Sequence, residues 1–162
     1  MPNCTRYAYG RWWCLMGTQP SGLYGLGNAE QWFGNCTAYQ KVSASDPNCV
    51  PKLGAIVCFA DGPYSGWGHV AIVEEIYSDG SILTSESAYN GYMFKCEKTG
   101  NRANNWGYNP AYIFQGFIYF PEDFDPDPNP PDPPDPDPYP PKPPSPFGFD
   151  KPLWFYCKRR PF

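Results

Sequence analysis

Between positions 121 and 146 the chain carries fourteen of its 22 prolines. Proline has no backbone N–H and a fixed φ, so a run this dense can build neither a helix interior nor a sheet ladder. The same stretch holds Glu122, Asp123, Asp125, Asp127, Asp132, Asp135 and Asp137 against a single Lys142. With like charges and little apolar surface to bury, it is expected to stay unpacked, as an extended polyproline spacer reaching about 80 Å at roughly 3.1 Å per residue. Folding therefore falls to residues 1–120, about one domain in size. Residues 147–162 (FGFDKPLWFYCKRRPF) are too short to fold alone and read as an aromatic, basic end on a tether.

Charge divides along the same boundaries. Residues 1–120 hold seven Lys/Arg and eight Asp/Glu, so the acidic excess behind the overall net charge of −4 lies in the spacer. A nearly neutral domain argues against nucleic-acid binding, although Lys151, Lys158, Arg159 and Arg160 leave the tail able to touch an acidic surface. The start, Met-Pro-Asn-Cys, lacks the basic and apolar regions of a signal peptide, and no stretch approaches the ~20 apolar residues of a membrane span. The expectation is synthesis in a cytoplasm without signal-peptide export. Seven cysteines (4, 14, 36, 49, 58, 96 and 157) include no CxxC pair, and His69 is the only histidine. No zinc site, metal or cofactor is expected, and most of these thiols should be small buried apolar groups in a reduced protein.

Within residues 1–120 the apolar period changes once. Asn3 is a good N-cap for a helix from Cys4 to Met16, in which Tyr7, Ala8, Arg11, Trp12 and Leu15 recur at helical spacing. Residues 17–27 are glycine-rich and loop. Asn28 can cap a second short helix over 29–33, ended near Gly34. Residues 42–51 are turn-rich. Strands follow at 53–60 (LGAIVCFA), 68–77 (GHVAIVEEIY), 81–87 (SILTSES) and 112–120 (YIFQGFIYF), the middle two joined by an Asp-Gly hairpin signal. Helices first and a meandering antiparallel sheet afterwards give an α+β domain.

Cys4 falls in the first turn of the predicted helix, where unpaired N–H groups and the positive dipole end favour a thiolate. His69, at the start of a strand, is the only possible base for such a thiol. A base of this kind needs a third group to fix its tautomer. A two-residue turn at Asp79-Gly80 sets Asn90 opposite His69. Glu86 shares that face four residues off register, and a bulge or a longer turn is needed to bring it in. Both residues stay open on this reading.

The segments P-N-C-T-R-Y-A-Y-G-R-W, L-G-N-A-E-Q-W-F, P-K-L-G-A-I-V-C-F, G-H-V-A-I-V-E-E-I-Y-S-D-G-S-I, S-E-S-A-Y-N and F-Q-G-F-I-Y, in that order across nearly all of residues 1–120, resemble the CHAP domain family of cysteine, histidine-dependent amidohydrolases/peptidases. The resemblance implies a papain-like fold and hydrolysis of an amide bond in bacterial peptidoglycan. It implies Cys4 as nucleophile, His69 as base and Glu86 as the acidic orienter. Two positions depart from the common pattern: Asn3 stands where many relatives have glutamine, and Ala88 where many have asparagine. Some relatives carry an acidic calcium loop ahead of the nucleophile; with three residues before Cys4, that loop is not expected here.

The bond, muramoyl–L-alanine or cross-bridge peptide, is left open by the sequence. Trp12, Trp13, Trp32 and Trp67 are candidates for a substrate cleft or for the core. The tethered tail points to a bacteriophage virion, with residues 147–162 bound to other tail proteins and the enzyme acting on the host wall. A free endolysin in the host cytoplasm before lysis and a catalytically silent structural protein are the alternatives. The dense PxxP matches also allow an SH3 or WW ligand, but the alternating aspartates fit a solvated spacer better.

Overall fold

Helix α1 (Cys4–Met16) begins where Asn3, in an extended conformation, accepts the Arg6 N–H on its side-chain oxygen at 2.8 Å. Such a cap contributes about 1 kcal/mol. The helix ends at Gly17, whose φ of +66° suits a residue without Cβ. Helix α2 (Ala29–Asn35) runs two residues past the expected stop. The computed structural model describes residues 3–62, 66–88, 92–107 and 112–121. Asn90, the Asp/Pro spacer beyond Pro121 and the aromatic tail lie outside them.

Six strands form one antiparallel sheet: β1 (Lys41–Ser43), β2 (Ile56–Asp61), β3 (His69–Ile76), β4 (Ile82–Glu86), β5 (Lys95–Lys98) and β6 (Tyr112–Ile118), in the order β1-β6-β2-β3-β4-β5. The chain is α+β, as expected, with two differences. The sheet meanders only from β2 to β5, and β6 then returns to pair between β1 and β2. The edge strands β1 and β5 were not foreseen, because three or four half-exposed residues carry no readable alternation.

Both faces of the central strands are covered, which explains their unbroken apolar runs. On one face Tyr7, Ala8 and Trp12 of α1 and Trp32 of α2 pack on Ile56, Cys58, Val70, Ile72 and Ile118. Trp12 donates its indole N–H to Gly54 O at 2.8 Å and meets Tyr39 and Phe120 edge-on, with ring centroids 4.9 and 5.3 Å away. On the other face Val57, Phe59, Ala71 and Val73 pack with Trp106, Phe114 and Phe117. Of the six described thiols only Cys36, Cys49 and Cys58 are buried, fewer than expected; Cys4 is intermediate, and Cys14 and Cys96 are exposed.

The β3–β4 connection is the longer of the turns left open by the sequence. Gly80 N–H donates to Tyr77 O and Tyr77 N–H to Ser81 O, both at 2.9 Å, so the loop holds three residues, Ser78, Asp79 and Gly80. Ile76 pairs with Ile82 and Glu75 with Leu83. The next pairs are Val73 with Thr84 and Ile72 with Ser85, so Glu74 is an extra, bulged residue. Carried on toward His69, this register sets Ala88 rather than Asn90 across from the histidine. Glu86 then lies two residues off register instead of four, within diagonal reach on the same face. A bulge or a longer turn was needed to bring Glu86 in, and both are present.

Candidate active site

Helix α1 delivers Cys4 in its first turn, where backbone N–H groups have no intrahelical acceptor. The thiol is half-buried. Burial pushes its pKa up, but the hydrogen bond to His69, the charge of that ring and the backbone N–H groups of Val70 and Thr5 together outweigh it, and the thiol sits below its ordinary value.

His69 opens β3 and pairs across the ladder with Phe59. The chain enters this strand along a pinned path. Trp67 N–H donates to Asp61 Oδ2 at 3.0 Å, and Trp67 O accepts the Glu30 N–H at 3.1 Å. Gly68 follows with φ +66°, and a Cβ there would stand 2.5 Å from Glu30 N and from Phe59 O. Only glycine lets this segment lie against α2 and β2 and still turn into the strand. The imidazole is buried, which by itself disfavours its charged form. Hydrogen bonds and charge from Cys4 and Glu86 reverse that, and its pKa is pushed up to about 9.

Glu86 ends β4 and is fully buried. Its Oε2 is hydrogen-bonded to His69 Nε2. With Nε2 so engaged, Nδ1 is the ring nitrogen left to face the thiol. A depressed thiol and an elevated imidazole both favour a thiolate–imidazolium pair, backed by the Glu86 side chain. Such a site can attack a carbonyl carbon and protonate a leaving group.

The three residues anticipated from sequence thus stand together, brought in by α1, β3 and β4. Asn90 lies outside the described residues. Asn3 spends its side-chain oxygen on the Arg6 N–H and the Thr5 hydroxyl, so only its amide N–H end is left for a substrate. The four tryptophans divide: Trp12 and Trp32 are core, while Trp13 and Trp67 are exposed, Trp67 by 66% and two residues from the histidine. Tyr112 was not singled out. As the first residue of β6 it sets its ring 6.1 Å from the imidazole, a neighbourhood created by the strand return that the sequence pattern does not reveal. Among the described residues no group of three or more His, Cys, Asp or Glu is placed to hold a metal ion, and no helix is long and apolar enough to cross a membrane.

Residues 1–88 match the family model described as CHAP domain. The chain is 38% identical over 97 residues to the probable autolysin LDP of Staphylococcus aureus, an alignment covering 60% of this chain and 31% of that one. It is 35% identical over 66 residues to the endolysin LysK of Staphylococcus phage K, covering 41% and 13%. Among solved structures, an N-acetylmuramoyl-L-alanine amidase from Staphylococcus aureus superposes with a TM-score of 0.51 at 31% identity, over 71% of this chain and 30% of that one. The chain matches less than a third of the length of each of these proteins.

Proposed function

The chain belongs to the CHAP domain family, and from that premise we propose that it is a peptidoglycan hydrolase that cuts an amide bond of the bacterial wall, with Cys4 as nucleophile, His69 as acid and base, and Glu86 as the group that orients His69. The observation that carries this reading is the line from half-buried Cys4 to buried His69 and Glu86 within the matched segment.

The Cys4 thiolate attacks the amide carbonyl carbon, and the developing oxyanion is met by the Cys4 N–H at the helix start. Collapse breaks the C–N bond as the His69 imidazolium gives its proton to the departing amine. The resulting thioester is attacked by water, whose proton the now neutral His69 takes. The C–S bond breaks and the thiolate–imidazolium pair is restored. Exposed Trp67, beside this centre, offers an aromatic face for a sugar ring or a stem-peptide methylene.

Mass spectrometry of purified Gram-positive walls after digestion tests the reaction and names the bond. New amino termini on L-alanine identify a muramoyl–alanine amidase, and new termini within the bridge an endopeptidase. Walls without any new amine ends rule the reading out.

The wider role is a bacteriophage enzyme carried on the virion. Residues 1–120 are the catalytic domain, 121–146 a stiff acidic spacer and 147–162 the anchor to other tail proteins. The support is the spacer's density of proline and aspartate, followed by an aromatic, basic end. Deleting residues 147–162 should leave wall hydrolysis intact while removing the protein from purified particles. Full-length protein that is absent from particles, and present only in the lysate, favours a free endolysin.

A further inference from the structure

The bulge at Glu74 is built into a network that the proposed chemistry does not use. Arg11 Nε donates to Glu74 Oε1 at 2.8 Å and Arg11 Nη2 to Glu74 Oε2 at 2.7 Å, a two-pronged pair with side chains only 11% and 17% exposed. The Ser85 hydroxyl donates to Glu74 Oε1 at 2.6 Å, and the buried Tyr7 hydroxyl shares a hydrogen bond with Ser85. The carboxylate thus joins three elements: α1, which carries Cys4 two turns before Arg11; β3, which carries His69; and β4, where Ser85 precedes Glu86.

Register gives this junction its meaning. Ahead of the bulge Ile76 pairs with Ile82; beyond it Ile72 pairs with Ser85. Were the first register to continue without the extra residue, Glu86 would pair with Ile72 and point to the helix-covered face. A slip of one residue turns every side chain of a strand over, and the carboxylate would leave His69. With Glu74 bulged, Glu86 falls on the histidine's face. Resting on the reading of Glu86 as the orienter of His69, we infer that the Arg11–Glu74–Ser85 clamp is a positioning device, which holds the β3–β4 bulge and so sets Glu86 on His69. Ser85 and Arg11 grip the one residue whose extrusion fixes the register, from the strand and the helix that carry the other two members of the site.

The test follows carboxymethylation of Cys4 by iodoacetate as a function of pH in the full chain, read by mass spectrometry of the peptide bearing Cys4, alongside thermal unfolding. Glu86→Gln should raise the pH of half-maximal reaction by about one unit, because the imidazolium that stabilises the thiolate is weakened. Glu74→Ala and Ser85→Ala should raise it in the same direction, and Glu74→Gln, which keeps an oxygen for Arg11 and Ser85, by less. Charge loss alone at Glu74 would move it the other way, since an uncompensated Arg11 favours a thiolate. In the Glu86→Gln background neither change should add more than about 0.2 unit, because residues acting through one contact are not additive. A profile unmoved by Glu74→Ala and Ser85→Ala, or one shifted equally in both backgrounds, overturns the clamp. If Glu74→Ala does not fold, Ser85→Ala alone decides. If Glu86→Gln itself leaves the profile unchanged, the orienting role of Glu86 falls, and the clamp with it.

Discussion

Cys4→Ser is expected to remove the turbidity loss of a cell-wall suspension, lowering kcat/KM by at least about 10³-fold. Serine fits the first turn of a helix as well as cysteine does, so α1 and its Asn3 cap should persist and thermal unfolding should hardly move. The loss then reports the nucleophile, since a hydroxyl beside His69 does not ionise as the thiol does. His69→Ala should reduce activity to a similar degree. The double variant should be little worse than either single one, because the two groups work as a unit. His69→Ala differs in stability: it leaves the buried Glu86 carboxylate without its partner, a loss of about 3–5 kcal/mol for a pair of this kind. Hydrolysis by both variants at the rate of the parent chain would exclude the assignment.

Glu86→Gln is expected to lower kcat/KM on the order of 10²-fold or more and to reshape its pH dependence. An amide keeps the size of the side chain but not its charge. If its NH₂ end meets Nε2, that nitrogen becomes an acceptor, and the ring turns an Nδ1–H toward the thiol in the wrong tautomer. In the parent chain the productive pair exists above the depressed Cys4 value and below about 9, where His69 gives up its proton. Removing the carboxylate should bring the alkaline limb down toward the ordinary 6.5 of a histidine and raise the acid limb, so the active window narrows from both sides. The sign for stability follows: a histidine raised by folding contributes at low pH, and that contribution disappears as pH rises through about 9. A profile in Glu86→Gln superimposable on the parent would assign the orienting role elsewhere.

The reach of the sequence differed from residue to residue. The start of α1 was readable because a cap and a helical period are local, and both agreed at Asn3 and Cys4. His69 was readable because no other histidine competes with it. Glu86 was named by motif, yet its geometry was not readable, since the register that delivers it depends on Glu74 being held out of the ladder by Arg11, 63 residues away. No pattern of alternation encodes that contact. The edge strands β1 and β5 were missed for a related reason. With half-exposed or charged side chains such as Lys95 and Lys98, they are strands because a neighbour offers hydrogen bonds, not because their own composition asks for it. The tryptophans show the limit of side-chain type alone: Trp12 and Trp13 are adjacent, and one is core while the other faces solvent.

The return of β6 between β1 and β2 has a consequence for how the domain is born. The two partners of β6 are complete by Asp61, but β6 itself begins only at Tyr112. At about 5–20 residues per second, a ribosome needs roughly 3–10 s to cross that interval. During it β2 has an open hydrogen-bonding edge, and the pairings with the largest sequence separation, the slowest to form, are still to come. A nascent chain therefore presents Cys4 long before β6 is made, yet the sheet that carries His69 cannot close until that strand emerges.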